Sequence, residues 1–256
     1  MRTKGEKANV LRNPGWQLAA DAKKINPDLK VSILRWRTPA WVKKDEDRYI
    51  WYKQSILAAY EKYGYMVDYI NPIVNEAWSG AGDVKYTKKF AKWIAAESTA
   101  TIKDEKALEL FRKIKLVVSD EANVVSDSVA ETMKSDQEFM DAVDVVGYHY
   151  KTADDNNGGM KWLAEVVDKE VWNSEEQATF SNSAFRPVTT DKAPTVAGTG
   201  IGGSGSALEM GNTVIKSFVE SRRGHVIYQP AIGAFYEGAQ YSFKELVSAR
   251  DPWSGW

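Results

Sequence analysis

The chain contains no cysteine. Disulfides, thiolate nucleophiles and cysteine-ligated zinc are therefore excluded, and the cellular compartment is left open. Also absent is any apolar run near the roughly 18 residues of a membrane span, and the N-terminus has no secretory h-region. Neither charge sign dominates: 34 Lys and Arg are interspersed with 35 Asp and Glu, for a net charge of -1. Electrostatic capture of nucleic acid or of an anionic membrane is thus not expected. No internal repeat, coiled coil or domain boundary is visible. The one glycine-rich stretch, Ala197 to Ser206, has a loose Gly-x-x-Gly spacing but does not follow a strand in a dinucleotide-type unit. It reads as a flexible loop over the mouth of a site rather than a phosphate cradle.

What remains is a chain of 256 residues with ten Trp and twelve Tyr, long enough for one large core and close to the usual length of a (β/α)8 barrel. The aromatics fit two roles, packing of helices on a sheet and platforms for the C–H faces of sugars. Composition does not separate them.

Residues 1–14 read as a loose basic lead-in, and residues 15–256 as one domain. Gly15 to Ile25 has helical spacing, with Trp16, Leu18, Ala19 and Ala22 on a shared face, and Asn26-Pro27 ends it. Val31 to Trp36 is the first strand. Asp47 to Tyr63 is an amphipathic helix closed by Gly64, built on Ile50, Tyr52, Ile56, Leu57 and Tyr60. A second strand begins near Met66 and runs into Asn75-Glu76. Helices are expected over Tyr86–Glu97 and about Asp127–Met140, with the strand Ile114–Asp120 between them. Val143–Tyr150 and Val171–Glu175 are further strands, with a helical or irregular segment around Trp162 to Val167. Ala207–Arg223 is a helix, and His225 through Phe235 a sixth strand, expected to bend at Pro230. Strand and helix alternate without hairpins. The fold class is therefore α/β with a parallel sheet of (β/α)8 TIM-barrel type, incomplete, with six of the eight strands in this chain.

Two of these strands end in carboxylates. Tyr69 to Val74 leads into Asn75-Glu76, and Val171-Trp172-Asn173-Ser174 into Glu175. Strand-end carboxylates separated by several βα units suggest the acid/base and nucleophile of a barrel glycosidase. Each taken singly also fits a polar residue that merely closes a strand.

From Gly15 to Gly255 the chain resembles glycoside hydrolase family 59, the galactocerebrosidase (galactosylceramidase) family. The resemblance is carried by ordered motifs: Trp16 through Pro27, Leu34 through Trp41, Asn75-Glu76, Val143 through Tyr150, and Trp172 through Glu175. Phe235-Tyr236-Glu237, Tyr241 and Asp251 through Gly255 complete the set. It implies a retaining glycosidase of β-galactosides, galactosylceramide-like or other, with Glu76 as general acid/base and Glu175 as nucleophile. Glu76 is then expected in a partly apolar pocket or near another carboxylate, either of which keeps it protonated. Asn75 would hydrogen-bond the hydroxyl beside the reacting carbon. Trp36 matches a sugar-site Trp or packs in the core, and His149 contacts nucleophile or substrate or is a satisfied buried histidine. Tyr241 matches a Tyr after the last strand, whereas Trp253 is expected to anchor the chain end. Glu176 is expected to face away from Glu175, as strand neighbours do.

No cofactor or metal is implied. The expected partner is a carbohydrate or glycolipid substrate, with no nucleic acid and no transmembrane segment. A soluble protein, secreted or lysosome-like in full-length form, is expected. The family's first two strands and its C-terminal β-sandwich and lectin-like domains have no counterpart, Gln229 stands for a family Trp, and Ala178 for a Ser. Two alternatives stay open: a retaining β-glycosidase of other specificity, such as a β-glucosidase or endo-glycanase, and an inactive carbohydrate-binding barrel remnant.

Overall fold

The computed structural model describes residues 1–149 and 158–176, then 211, 214–219, 222, 224–228, 232–233 and 247–248. Its contacts divide into two compact units, Met1–Val118 with Asp136–Asp144, and Ser119–Ser135 with Val145–Trp256.

The first unit opens with a 3-10 turn, Val10–Arg12, inside the lead-in, and Val10 is buried. Helix α1 (Pro14–Ile25) follows, capped by the Asn13 side chain with Pro14 at its first position, where a missing N–H costs nothing. It packs through Trp16, Ala19 and Ala20. Leu18, expected on that face, is instead 71% exposed, because the helix is rolled so that the smaller Ala19 and Ala20 approach the core. Strand β1 (Ser32–Arg35) leads to α2 (Asp45–Tyr63), which ends at Gly64 in the left-handed region (φ 77°), a conformation that glycine adopts without strain. Strand β2 (Tyr69–Val74) and helix α3 (Ala81–Ala96) come next. Helix α4 (Glu105–Phe111), not foreseen from the sequence, is short and capped by Asp104, whose side chain accepts from the Ala107 N–H at 2.8 Å.

The core of this unit is aromatic and aliphatic. Phe90 is fully buried and takes Tyr49, Tyr52 and Tyr86 edge-on at 5.1–5.8 Å between centroids. Losing such a side chain typically costs about 3–5 kcal/mol. Around it stand Ile56, Ile70, Ile73 and Phe111, each no more than 1% exposed. β1 pairs with β2 and β2 with β3 (Lys115–Ala122), both parallel, as the absence of hairpins requires.

Strand β3 crosses from the first unit into the second. A single helix was expected over Asp127–Met140, but α5 (Asn123–Ser135) stops and α6 (Gln137–Ala142) restarts. Asp136 is the reason: its backbone leaves the helical region, and its side chain accepts from the Phe139 N–H at 2.9 Å. In the second unit β4 (Val145–His149) is buried along its whole length. Helix α7 (Gly159–Glu165) connects toward β5 (Glu170–Glu176), and β6 (His225–Tyr228) follows. β4–β5 and β5–β6 are parallel. The core here is built from Val129, Met133, Val145, Val146, Tyr148, Met160 and Leu163, all nearly inaccessible. Within the span expected as one helix over Ala207–Arg223, residues 214–219 are helical. Of the span expected as a sixth strand, His225–Tyr228 and Ile232–Gly233 are extended, and the latter pairs in parallel with Val247–Ser248; the bend expected at Pro230 lies outside the described residues. Among the described residues no helix is long and apolar enough to cross a membrane.

Candidate active site

The strand that carries Asn75 and Glu76 does not run straight. β1 and β2 are in step at Ser32–Tyr69 and Ile33–Ile70, but Arg35 then lies opposite Val74, so β2 contains a bulge. Asn71-Pro72 sits in it. Pro72 has no N–H for the ladder, and the Asn71 side chain accepts from the Ile73 N–H at 2.8 Å in place of a strand partner. The freed Pro72 carbonyl takes the Nε–H of buried Arg35 at 3.1 Å, and the Asn75 N–H returns to the Arg35 carbonyl at 3.0 Å. A bulge re-aims the residues beyond it, and here those are Asn75 and Glu76.

Asn75 is 4% exposed, and neither its amide nitrogen nor its amide oxygen has a hydrogen-bond partner among the described residues. Burial of an unmatched amide is costly unless a ligand completes it. Glu76 takes a positive φ of 52°, a strained conformation for a residue with a side chain, and is exposed. Of the two surroundings expected for a proton donor, a partly apolar enclosure is not formed around it by the described residues. Trp36, just past β1, is 60% exposed, so it is not the core residue of the alternative reading. Trp78, beyond Glu76, rests on Phe139 with centroids 6.2 Å apart.

The second unit repeats the device. β4 and β5 are in step to Tyr148–Asn173, but His149 lies opposite Glu175, which leaves Ser174 as an extra residue. The Ser174 hydroxyl lies against the Asp120 carboxylate and, at 3.2 Å, the Tyr148 carbonyl. Past the bulge, Glu175 faces His149, with Oε2 3.7 Å from Nδ1, and the Glu175 side chain is 12% exposed. Glu176 takes a different partner: it is buried and accepts from Asn173 Nδ2 at 2.8 Å. His149 is 1% exposed and has Asp120 on its other nitrogen, with Oδ1 3.8 Å from Nε2. It therefore stands beside the carboxylate expected to be the nucleophile.

Two residues at these strand ends were not singled out in the sequence. Asp120 is 2% exposed with φ 50°, and Arg35 is 8% exposed. Asp120 carried a legible signal, since it ends an apolar strand as Glu76 and Glu175 do. Arg35 carried none, because its role depends on a carbonyl released by a bulge. Tyr241, Trp253 and the glycine-rich stretch lie outside the described residues.

Comparison with solved structures shows the fold. SrfJ from Salmonella typhimurium superposes with a TM-score of 0.62 at 18% identity, over 91% of this chain and 52% of that one. The catalytic domain of GH30 xylanase C from Talaromyces cellulolyticus gives 0.58 at 12% identity, over 91% and 53%. With the parallel strands and intervening helices, this places the chain in the incomplete (β/α)8 class. Among curated proteins, galactocerebrosidase of Mus musculus is 24% identical over 96% of this chain, and that of Homo sapiens equally so. Galactocerebrosidase of Danio rerio is 24% identical over the whole chain. The chain spans about a third of the length of these relatives, 31% for the mouse protein. The profile of glycosyl hydrolase family 59 matches residues 1–256, and the chain belongs to that family.

Proposed function

We propose that this chain carries the catalytic carboxylates of a retaining β-glycosidase acting on β-galactosides, the sugar class named in its relatives. Glu175 attacks the anomeric carbon while Glu76 protonates the departing oxygen. The galactosyl group is then held on Glu175 as an ester. Water, deprotonated by Glu76, hydrolyses it and restores both groups. Such a pair requires carboxyl groups roughly 5–5.5 Å apart. Asn75 supplies the amide that binds the hydroxyl next to the reacting carbon, and exposed Trp36 is the sugar platform. The reading rests above all on Asn75: a buried amide whose two polar atoms have no partner among the described residues, immediately before a strand-end glutamate with left-handed backbone. A galactosylceramide-like aglycone and a secreted or lysosomal setting for the full protein belong to the same proposal.

Hydrolysis of a chromogenic β-galactoside by the chain and by its Glu76→Gln and Glu175→Gln variants tests it. Turnover is expected in the parent, with losses on the order of 100- to 10,000-fold for Glu76→Gln and at least as large for Glu175→Gln. An inert β-galactoside with another β-glycoside cut under the same two-variant dependence would reassign the sugar. Sugar binding untouched by either variant, with no turnover, would reduce the chain to a binding barrel.

A further inference from the structure

We propose that Asp120 is a positioning residue for the nucleophile, holding His149 on the side opposite Glu175 and through it fixing the orientation of the Glu175 carboxylate. This rests on the reading of Glu175 as nucleophile. Every part of the arrangement lies within the second unit.

The backbone is deformed to place Asp120. Ser119 and Asp120 are consecutive buried residues with positive φ, 75° and 50°, within strand β3, and neither is a glycine. Strain of this kind persists only where the surroundings enforce it, and it gathers at functional sites. The surroundings here are specific. The Ser119 hydroxyl bonds that of Ser126 at 2.8 Å, and Ser126 Oγ donates to the Gly147 carbonyl at 3.1 Å. Ser174 donates to Asp120 from the bulge that also aims Glu175. At Gly147 a β-carbon would stand 2.1 Å from Asp120 Oδ1 and 2.6 Å from Ser174 Oγ. Strand β4 therefore lacks a side chain at the one place that the carboxylate occupies.

The imidazole of His149 consequently has a carboxylate at each nitrogen, Asp120 from β3 at 3.8 Å and Glu175 from β5 at 3.7 Å. These separations exceed a direct hydrogen bond, but charges this close interact strongly when water is largely excluded. A neutral imidazole would present a lone pair to one of the two carboxylates, whereas the doubly protonated ring presents a donor to both. Asp120 thus favours the doubly protonated ring, which then presents its other N–H to the Glu175 carboxylate and orients it for attack on an anomeric carbon. A carboxylate that merely closed a strand would need neither Gly147 nor the bulge serine.

The chain has two histidines, His149 and His225, so imidazole NMR resonances can be assigned with a His225→Gln variant. In Asp120→Asn the protonation midpoint of His149 should fall by about one pH unit or more, because a nearby negative charge is removed. In the same variant, kcat on a chromogenic β-galactoside should fall about tenfold or more with KM within about twofold, the pattern of a lost transition-state contribution. If Asp120→Asn does not fold, Asp120→Ser, smaller and still able to accept from Ser174, should give the same shift. An unmoved His149 midpoint, with Glu175→Gln inactive, overturns the role of Asp120 alone. Wild-type turnover in Glu175→Gln overturns the nucleophile reading beneath it, while the midpoint shift still reports the Asp120–His149 contact.

Discussion

Two residues carry the account at this scale, and each makes a demand that a substitution can check. Asn75 is buried with an amide that has no hydrogen-bond partner among the described residues, so its folding contribution is poor, and the proposed function assigns it a binding contribution instead. Asn75→Ala is expected to leave the denaturant midpoint unchanged or slightly raised, because it removes a buried polar group with no described partner. β-Galactoside turnover should nevertheless drop on the order of 100-fold, which kinetics on the same preparation would register. A large loss of stability would show that the amide is structural. Gly147 makes the complementary demand. Gly147→Ala places a methyl group 2.1 Å from Asp120 Oδ1, so strand and carboxylate must part. A cost of about 1–3 kcal/mol in urea unfolding is expected, together with a weakened His149–Glu175 contact seen in the imidazole resonances.

At the scale of elements, helices α2 and α3 are joined at Glu97. Burial opposes ionisation of this carboxyl, but Lys53, Thr101 and Tyr49 all donate to it and together hold it below the usual carboxylate range. The folded-state value is depressed, so the stabilisation is fully present above the ordinary range of an unfolded glutamate and is lost as pH falls through the folded value. The stability gap between the parent and Glu97→Gln should therefore be widest near neutrality and close on acidification. Urea titrations at several pH values would show it, and a gap that widens on acidification would contradict the assignment. The same scale shows what periodicity reveals and hides. The strand-end motifs, the Gly64 stop and the parallel alternation were legible because each follows from spacing or from a residue with one backbone preference. The break at Asp136 was not, since an Asp inside an apolar pattern serves equally as a helix surface residue or as a cap. Both bulges were equally hidden, at Asn71-Pro72 and Ser174. Register depends on the partner strand, and a single strand's sequence does not contain it. The carboxylates could thus be found in the sequence, but how they are aimed could not.

For the whole molecule, the exposed apolar surface matters as much as the site. β1 has β2 as its one strand partner among the described residues, and beside it lies a groove of about 660 Å³ lined by Trp16, Ala19, Val31, Ile33 and Trp51. Leu18 is 71% and Leu34 39% exposed on the same lining. An open strand edge next to an apolar groove promotes association. Sedimentation should detect self-association that grows with concentration, and Leu18→Lys combined with Leu34→Lys should diminish it; a parent chain that stays monomeric throughout would contradict this. The central claim, that Glu175 takes up the sugar, is tested most directly by trapping the ester. A 2-deoxy-2-fluoro-β-galactoside with a good leaving group slows hydrolysis of the intermediate, and peptide mass spectrometry then locates the label. The account predicts one fluorogalactosyl group on the peptide containing Glu175 and none in Glu175→Gln. A label on another residue, or turnover of the parent substrate with inverted anomeric configuration, would contradict it.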